Sequence, residues 1–215
     1  MKRAVQAPLF DASPRKLVTP HARATSTFGK SKRPAPAPKP WECTILSVDT
    51  AQLSGWSTYE CGAFLDSGEI DTTDECEVEF IVLQALQLCT PPPVLVLEAP
   101  YGGWKSPGQV KTLVALGAAR ERWERAWKAA GEAKGRIVRV QPSTWRAATL
   151  GNIRGLDRNE IRKREQQAAG VIAGRPTSPD ESAAILIGRW AAYASKVGEV
   201  IGARAVQASM KAWQQ

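Results

Sequence analysis

Histidine is nearly absent from this chain, and so is any cysteine spacing that would hold zinc: 215 residues contain one His and four Cys. The single His21 lies far from Cys43, Cys61, Cys76 and Cys89, and no CxxC pair occurs, so a zinc site is not expected. Reduced thiols in a cytosol-like compartment are the default. No apolar run approaches the roughly 18 residues a membrane-spanning helix needs, so no membrane partner is expected. Positive charge is missing from one long stretch. Residues 41–99 carry 11 acids and no Lys or Arg, whereas residues 100–215 carry 20 basic residues against nine acids. One part reads as built around carboxylates and the other around an anionic partner such as nucleic acid. Solvated helix faces late in the chain are the plainer alternative.

What remains is enough apolar sequence, 43% of residues, for one domain of roughly 150 to 180 residues with a tail left over. Residues 1–40 supply that tail: nine Lys or Arg against Asp11 alone, ending in the Pro/Ala/Lys stretch from Pro34 to Pro40. Such a composition buries too little surface to offset chain entropy. It reads as a disordered basic arm that adds phosphate contacts, or as a targeting segment. The first places the protein in the cytoplasm of a bacterial or phage-infected cell; the second, as a transit peptide, in a chloroplast or mitochondrion. Residues 41–215 form the predicted domain.

Strands open that domain. Thr44–Asp49 is β-rich and ends on an acid, and Gly55–Glu60 and Ala63–Ile70 read as two strands joined by a tight turn at Cys61-Gly62. Helical spacing predicts a helix over Glu77–Leu88, stopped by Pro91–Pro93. Val94–Glu98 is a continuous apolar run suited to a strand buried on both faces of a parallel sheet, and it too ends on an acid. Ser106, Pro107 and Gln109 fit the start of a long helix whose apolar face runs through Val110, Leu113, Val114, Gly117, Trp123 and Trp127, with Gly131 at its end. Trp123 and Trp127, at i and i+4, belong to the core or a subunit interface. Ile137–Val140 is the next strand; Pro142–Leu150, Arg158–Ile172 and Pro179–Val197 are predicted helices. The predicted fold class is α/β, an RNase H-like core with a five-stranded mixed sheet flanked by helices, although sugar-kinase and actin-type domains begin in the same order.

Asp49 and Glu98 each close a buried strand. If the strands are parallel neighbours, their carboxylates meet at the sheet's carboxyl edge, where ligands bind in open α/β sheets. Paired carboxylates repel unless a cation lies between them, which points to Mg²⁺ or Mn²⁺. Asp180 opens the last helix and is the candidate third acid. Its neighbour Glu181 fits a capping box with Ser178 and Pro179 and is better explained by capping.

These segments resemble the RuvC-type Holliday junction resolvases over most of residues 44–197. Ile45-Leu46-Ser47-Val48-Asp49-Thr50 followed by Ser54-Gly55-Trp56 is similar to the family's opening acidic strand and its second strand. Val96-Leu97-Glu98 is similar to its second acidic strand, with Tyr101 where the family places an aromatic that wedges into the junction. Leu116-Gly117-Ala118-Ala119-Arg120 and then Pro142, Trp145, Arg146 and Gly151 match later segments. The resemblance implies a homodimer that grips four-way branched DNA and nicks opposing strands, leaving 5′-phosphates, with two Mg²⁺ or Mn²⁺ ions per active site held by Asp49, Glu98 and Asp180. It implies DNA contacts from Tyr101, Lys105, Lys111, Arg120, Arg146, Arg158, Arg162, Lys163 and Arg164.

The chain departs from the pattern at the last helix. There the family places an acid or His, two residues, a second Asp, then Ala and an apolar run; Asp180-Glu181-Ser182-Ala183-Ala184 puts Ala183 in the second acidic slot of the catalytic set. Either the protein cleaves weakly or not at all, or the position carries an engineered Asp→Ala change. A branched-DNA-binding protein without hydrolysis on the same fold is therefore the alternative function. A sugar-kinase-like reading finds no second Gly-rich phosphate loop.

Overall fold

The computed structural model describes residues 39–87, 93–99, 107–130 and 136–202, with side chains from residue 110 in the third segment. All belong to the unit Pro38–Gln215. An antiparallel meander of β1 (Thr44–Asp49), β2 (Leu53–Glu60) and β3 (Ala63–Asp71) opens it, and β4 (Val94–Glu98) and β5 (Ile137–Val140) extend the sheet in parallel beyond β1. The order β3-β2-β1-β4-β5 is the expected five-stranded mixed sheet. Its helices are α1 (Glu75–Gln87), α2 (Pro107–Ala129), α3 (Pro142–Leu150), α4 (Arg158–Ala173) and α5 (Pro179–Ala191). The β2–β3 hairpin turns at Cys61 and Gly62, with φ of 48° and 81°. Two left-handed residues in succession are what a tight hairpin turn demands.

Strand periodicity divides the core in two. Ile45, Tyr59, Val96 and Val140 pack with α3, α4 and α5, while Leu46, Val48, Trp56, Leu95 and Leu97 pack with α1 and α2. Asp49 and Glu98 share the parity of Ile45 and Val96, so both carboxylates project toward α5. Trp123 and Trp127 are buried in the other core rather than held for a partner.

Polar bonds fix α5 to the sheet. Ser47 and Ser57 hydroxyls each donate to the Ala184 carbonyl at 3.0 Å, and the Tyr59 hydroxyl donates to that of Ile185 at 2.8 Å. Gly188 allows the approach, since a Cβ there would lie 2.4 Å from the Tyr59 ring.

Several boundaries differ from the sequence expectation, each for a local reason. Helix α1 starts at Glu75 because the Asp74 carboxylate accepts from the backbone N–H of Cys76 and Glu77, at 3.0 and 3.2 Å. The apolar face of α2 is buried only from Ala119 onward, and Val114 is 66% exposed. The last predicted helix breaks after Ala191, where Trp41 intervenes: its backbone N–H donates to the Ala192 carbonyl and its indole to that of Ala194, both at 2.9 Å. Helix resumes over 195–202. Cys43, Cys61 and Cys76 are free thiols; Cys89, Pro91, Ser106 and Gly131 lie outside the described residues. No described helix is long and apolar enough to cross a membrane.

Candidate active site

Parallel pairing of β1 and β4 runs in register from Ile45 opposite Val94 to Val48 opposite Leu97, so the next residues, Asp49 and Glu98, stand side by side where both strands end. The Glu98 carboxyl bears on Asp49, raising its pKa by charge and hydrogen bonding. Glu98 is held from two directions: Thr50 Oγ1 donates to its backbone carbonyl at 2.9 Å, and the fully buried Trp145 donates from Nε1 to Oε1 at 2.8 Å.

Asp180 reaches the same end of the sheet because of a glycine. Gly55 pairs with Asp49 on one side and Glu69 on the other, and a Cβ there would lie 2.0 Å from the Asp180 carbonyl oxygen and 2.6 Å from the Glu181 nitrogen. Only a bare backbone lets the first turn of α5 settle on β2 beside Asp49. Ser178 caps that turn, accepting from the Glu181 N–H at 3.2 Å while its hydroxyl donates to Glu69. The Glu181 side chain does not close a capping box. It accepts from Ser67 Oγ at 2.7 Å and from the Arg175 guanidinium, so it ties α5 to β3 instead. Burial pushes its carboxyl up, and the Arg175 and Ser67 bonds more than offset this, leaving it below the usual range.

Between these elements lies a cleft of about 510 Å³. Four carboxylates line it, Asp49, Glu98, Glu165 and Asp180, with three guanidiniums, Arg146, Arg158 and Arg162. Ala183 lies in the wall one turn beyond Asp180 and is 2% exposed. Burial holds Asp49 well above the ordinary carboxylate range; the Glu98 charge and hydrogen bond add to this, then Asp180, while Arg146 opposes it. Asp180 is raised by burial first and then by Glu69, with Arg162 opposing. A cleft that pushes acids toward their protonated form is one that a divalent cation would relieve. Its all-oxygen donors are the kind hard cations such as Mg²⁺ take. Among the described residues, however, no three acidic, His or Cys side chains close around one point: Asp49 and Glu98 end neighbouring strands, while Asp180 comes from α5.

Of the predicted DNA contacts, Arg146, Arg158 and Arg162 come together in the cleft. Lys111, Lys163 and Arg164 are exposed outside it, and Arg120 instead pairs with Glu124 at 3.6 Å. Tyr101 and Lys105 lie outside the described residues. Sequence reasoning missed two residues. Trp145 entered only as a motif match, yet it holds Glu98. Glu165 is 2% exposed and receives Arg146 Nε at 2.6 Å. Its signal was position: Ile161, Glu165 and Ala169 fall at i, i+4 and i+8, placing an acid on the inward stripe of α4.

No protein-family model matches the chain, and no curated protein matches it by sequence. Solved structures do. That of Thermus thermophilus RuvC in complex with a Holliday junction substrate aligns with a TM-score of 0.53 at 14% identity, covering 73% of this chain and 96% of that one. Another T. thermophilus RuvC structure aligns at 0.52 and 14%, covering 72% and 96%. The likeness is one of fold: a RuvC-like, RNase H-like core.

Proposed function

On this RuvC-like fold, we propose that the chain is a divalent-metal-dependent endonuclease acting on four-way DNA junctions as a homodimer. The observation that carries the reading is the convergence of Asp49, Glu98 and Asp180, from three different elements, in one cleft walled by arginines. Paired half-buried carboxylates beside guanidiniums suit phosphodiester hydrolysis, in which an anion must be held while charge grows on its oxygens. The RuvC structure that contains a Holliday junction makes branched DNA the substrate to test first.

A bound Mg²⁺ or Mn²⁺ supplies Lewis acidity and a more acidic water. Asp49 and Glu98 would hold it from the sheet edge and Asp180 from α5. Trp145 keeps the Glu98 carboxylate in one rotamer, and Gly55 sets how far α5 stands from Asp49. Arg158 and Arg162, exposed on the first turns of α4, offer phosphate contacts that position DNA without reading its sequence. Tyr101, by the family resemblance, would stack on an opened base.

Ala183 in the cleft wall favours a second reading, a junction-binding protein with little or no hydrolysis. One assay separates them: nicking of a labelled four-way junction with Mg²⁺ and with Mn²⁺, beside matched duplex. Cation-dependent nicks in the junction, increased in Ala183→Asp, support the nuclease. Tight junction binding with no nick under either cation supports the binder, and equal affinity for junction and duplex removes both.

A further inference from the structure

Arg146 is built into this cleft more firmly than a general phosphate contact requires. Glu165 lies on the buried side of α4, where an ionised group is costly without a partner, and Arg146 provides it through Nε at 2.6 Å. The guanidinium carbon lies 4.7 Å over the Trp145 ring, the same ring whose N–H holds Glu98. Since the bond to Glu165 uses Nε, the donor nearest the stem, the two terminal nitrogens lie beyond it. The charge of Arg146 is felt at Asp49. A cation is thus fixed beside the paired acids by the protein itself.

The α5 wall offers no second carboxylate beyond Asp180. Ala183 offers a methyl group, and among the described residues no three acidic, His or Cys side chains gather around one point. Charge points the same way. Four carboxylates against three guanidiniums leave the ionised cleft one negative charge in excess. One divalent cation converts that to a single positive charge, the complement of one phosphodiester; two would leave it three positive.

Resting on the reading of this cleft as a nuclease site, we propose that it takes one divalent cation, and that Arg146, positioned by Glu165, is the second positive charge on the scissile phosphate. In the hydrolysis a water oxygen bonds to phosphorus as the P–O3′ bond breaks; the hydroxyl stays with the 5′-phosphate and the remaining proton ends on O3′. Arg146 donates to the non-bridging oxygens, where charge accumulates, with the forked geometry that suits guanidinium and phosphate.

The test counts ions rather than turnovers. Mn²⁺ binding to the full-length protein with a four-way junction, read by electron paramagnetic resonance, gives one tight ion per chain, and two in Ala183→Asp. Two ions in the unsubstituted chain, or none, overturn the proposal. The paired substitution Arg146→Gln with Glu165→Gln leaves no lone buried charge; its cleavage rate falls about 10²- to 10³-fold at saturating Mn²⁺ while the count stays at one. An unchanged rate overturns the role of Arg146. A chain that binds one ion and cuts nothing sinks the nuclease reading, and Arg146's task with it; a chain that cuts junctions with two ions sinks only the single-ion inference.

Discussion

The two faces of the sheet are held by different means. On one, α1 and α2 cover Leu46, Val48, Leu95 and Leu97 with Trp123 and Trp127, and the contact is mainly apolar, with Arg139 of β5 bonded to Glu124 of α2 at its margin. On the other, α5 is bonded to β1 and β2 through Ser47, Ser57 and Tyr59, set against them through Gly55 and Gly188, and tied to β3 through Glu181. Apolar packing tolerates adjustment, whereas hydrogen bonds and backbone contact fix position. The candidate acids lie on the second face, where position matters.

The sharpest break in that comparison comes at Asp49. Asp49→Asn is expected to lower junction cleavage by about a thousandfold or more. The same substitution should stabilise the fold when no cation is present. The folded-state pKa of Asp49 is raised, so the folded protein holds a proton that the unfolded chain has lost. The acid's stability contribution is therefore full below the unfolded pKa and disappears as pH rises through the folded one. Above the unfolded pKa, keeping this carboxyl in the folded site is a burden that Asn lacks. Thermal melting in chelator at pH 7 should rise by about 2 to 4 °C; a fall would mean that the carboxylate stabilises the fold as it stands.

Gly55→Ala comes next. Its Cβ meets backbone rather than a side chain that could swing away, so α5 or β2 must move. A loss of about 3 kcal/mol in urea unfolding is expected, together with loss of cleavage. A wild-type midpoint would show that α5 is not held as closely as Gly55 implies.

Tyr59→Phe removes one bond to α5 and keeps the ring, at a cost of about 1 kcal/mol in the same measurement. The opposite face supplies the smallest effect. Trp127 Nε1 is buried without a hydrogen-bond partner among the described residues, so Trp127→Phe gives up volume but also an unsatisfied donor. The net change should stay within about 1 kcal/mol and leave cleavage intact. If Trp127→Phe costs more than Tyr59→Phe, the contrast between the faces fails.

What the sequence revealed follows the same division. Apolar alternation in TILSVD and the unbroken VLVLE run placed β1, β4 and their terminal acids, because burial writes itself into local pattern. The contacts on the α5 face are not local. Ser47, Ser57 and Tyr59 read as ordinary strand residues, and their bonds reach positions more than a hundred residues away. The break after Ala191 depends on Trp41, at the other end of the domain. Glu165 was concealed among the charges of Arg158–Ala173, where one inward acid resembles its outward neighbours. Glu181 was given to capping because its partners, Ser67 and Arg175, cannot be seen from the helix alone.

The most direct test of the nuclease assignment is the chemistry of the ends it leaves. With a four-way junction and Mg²⁺ or Mn²⁺, the protein should produce paired nicks that DNA ligase can seal, since hydrolysis leaves 5′-phosphate beside 3′-hydroxyl, and Asp49→Asn should produce none. Nicks that persist in Asp49→Asn or without any divalent cation would contradict the account.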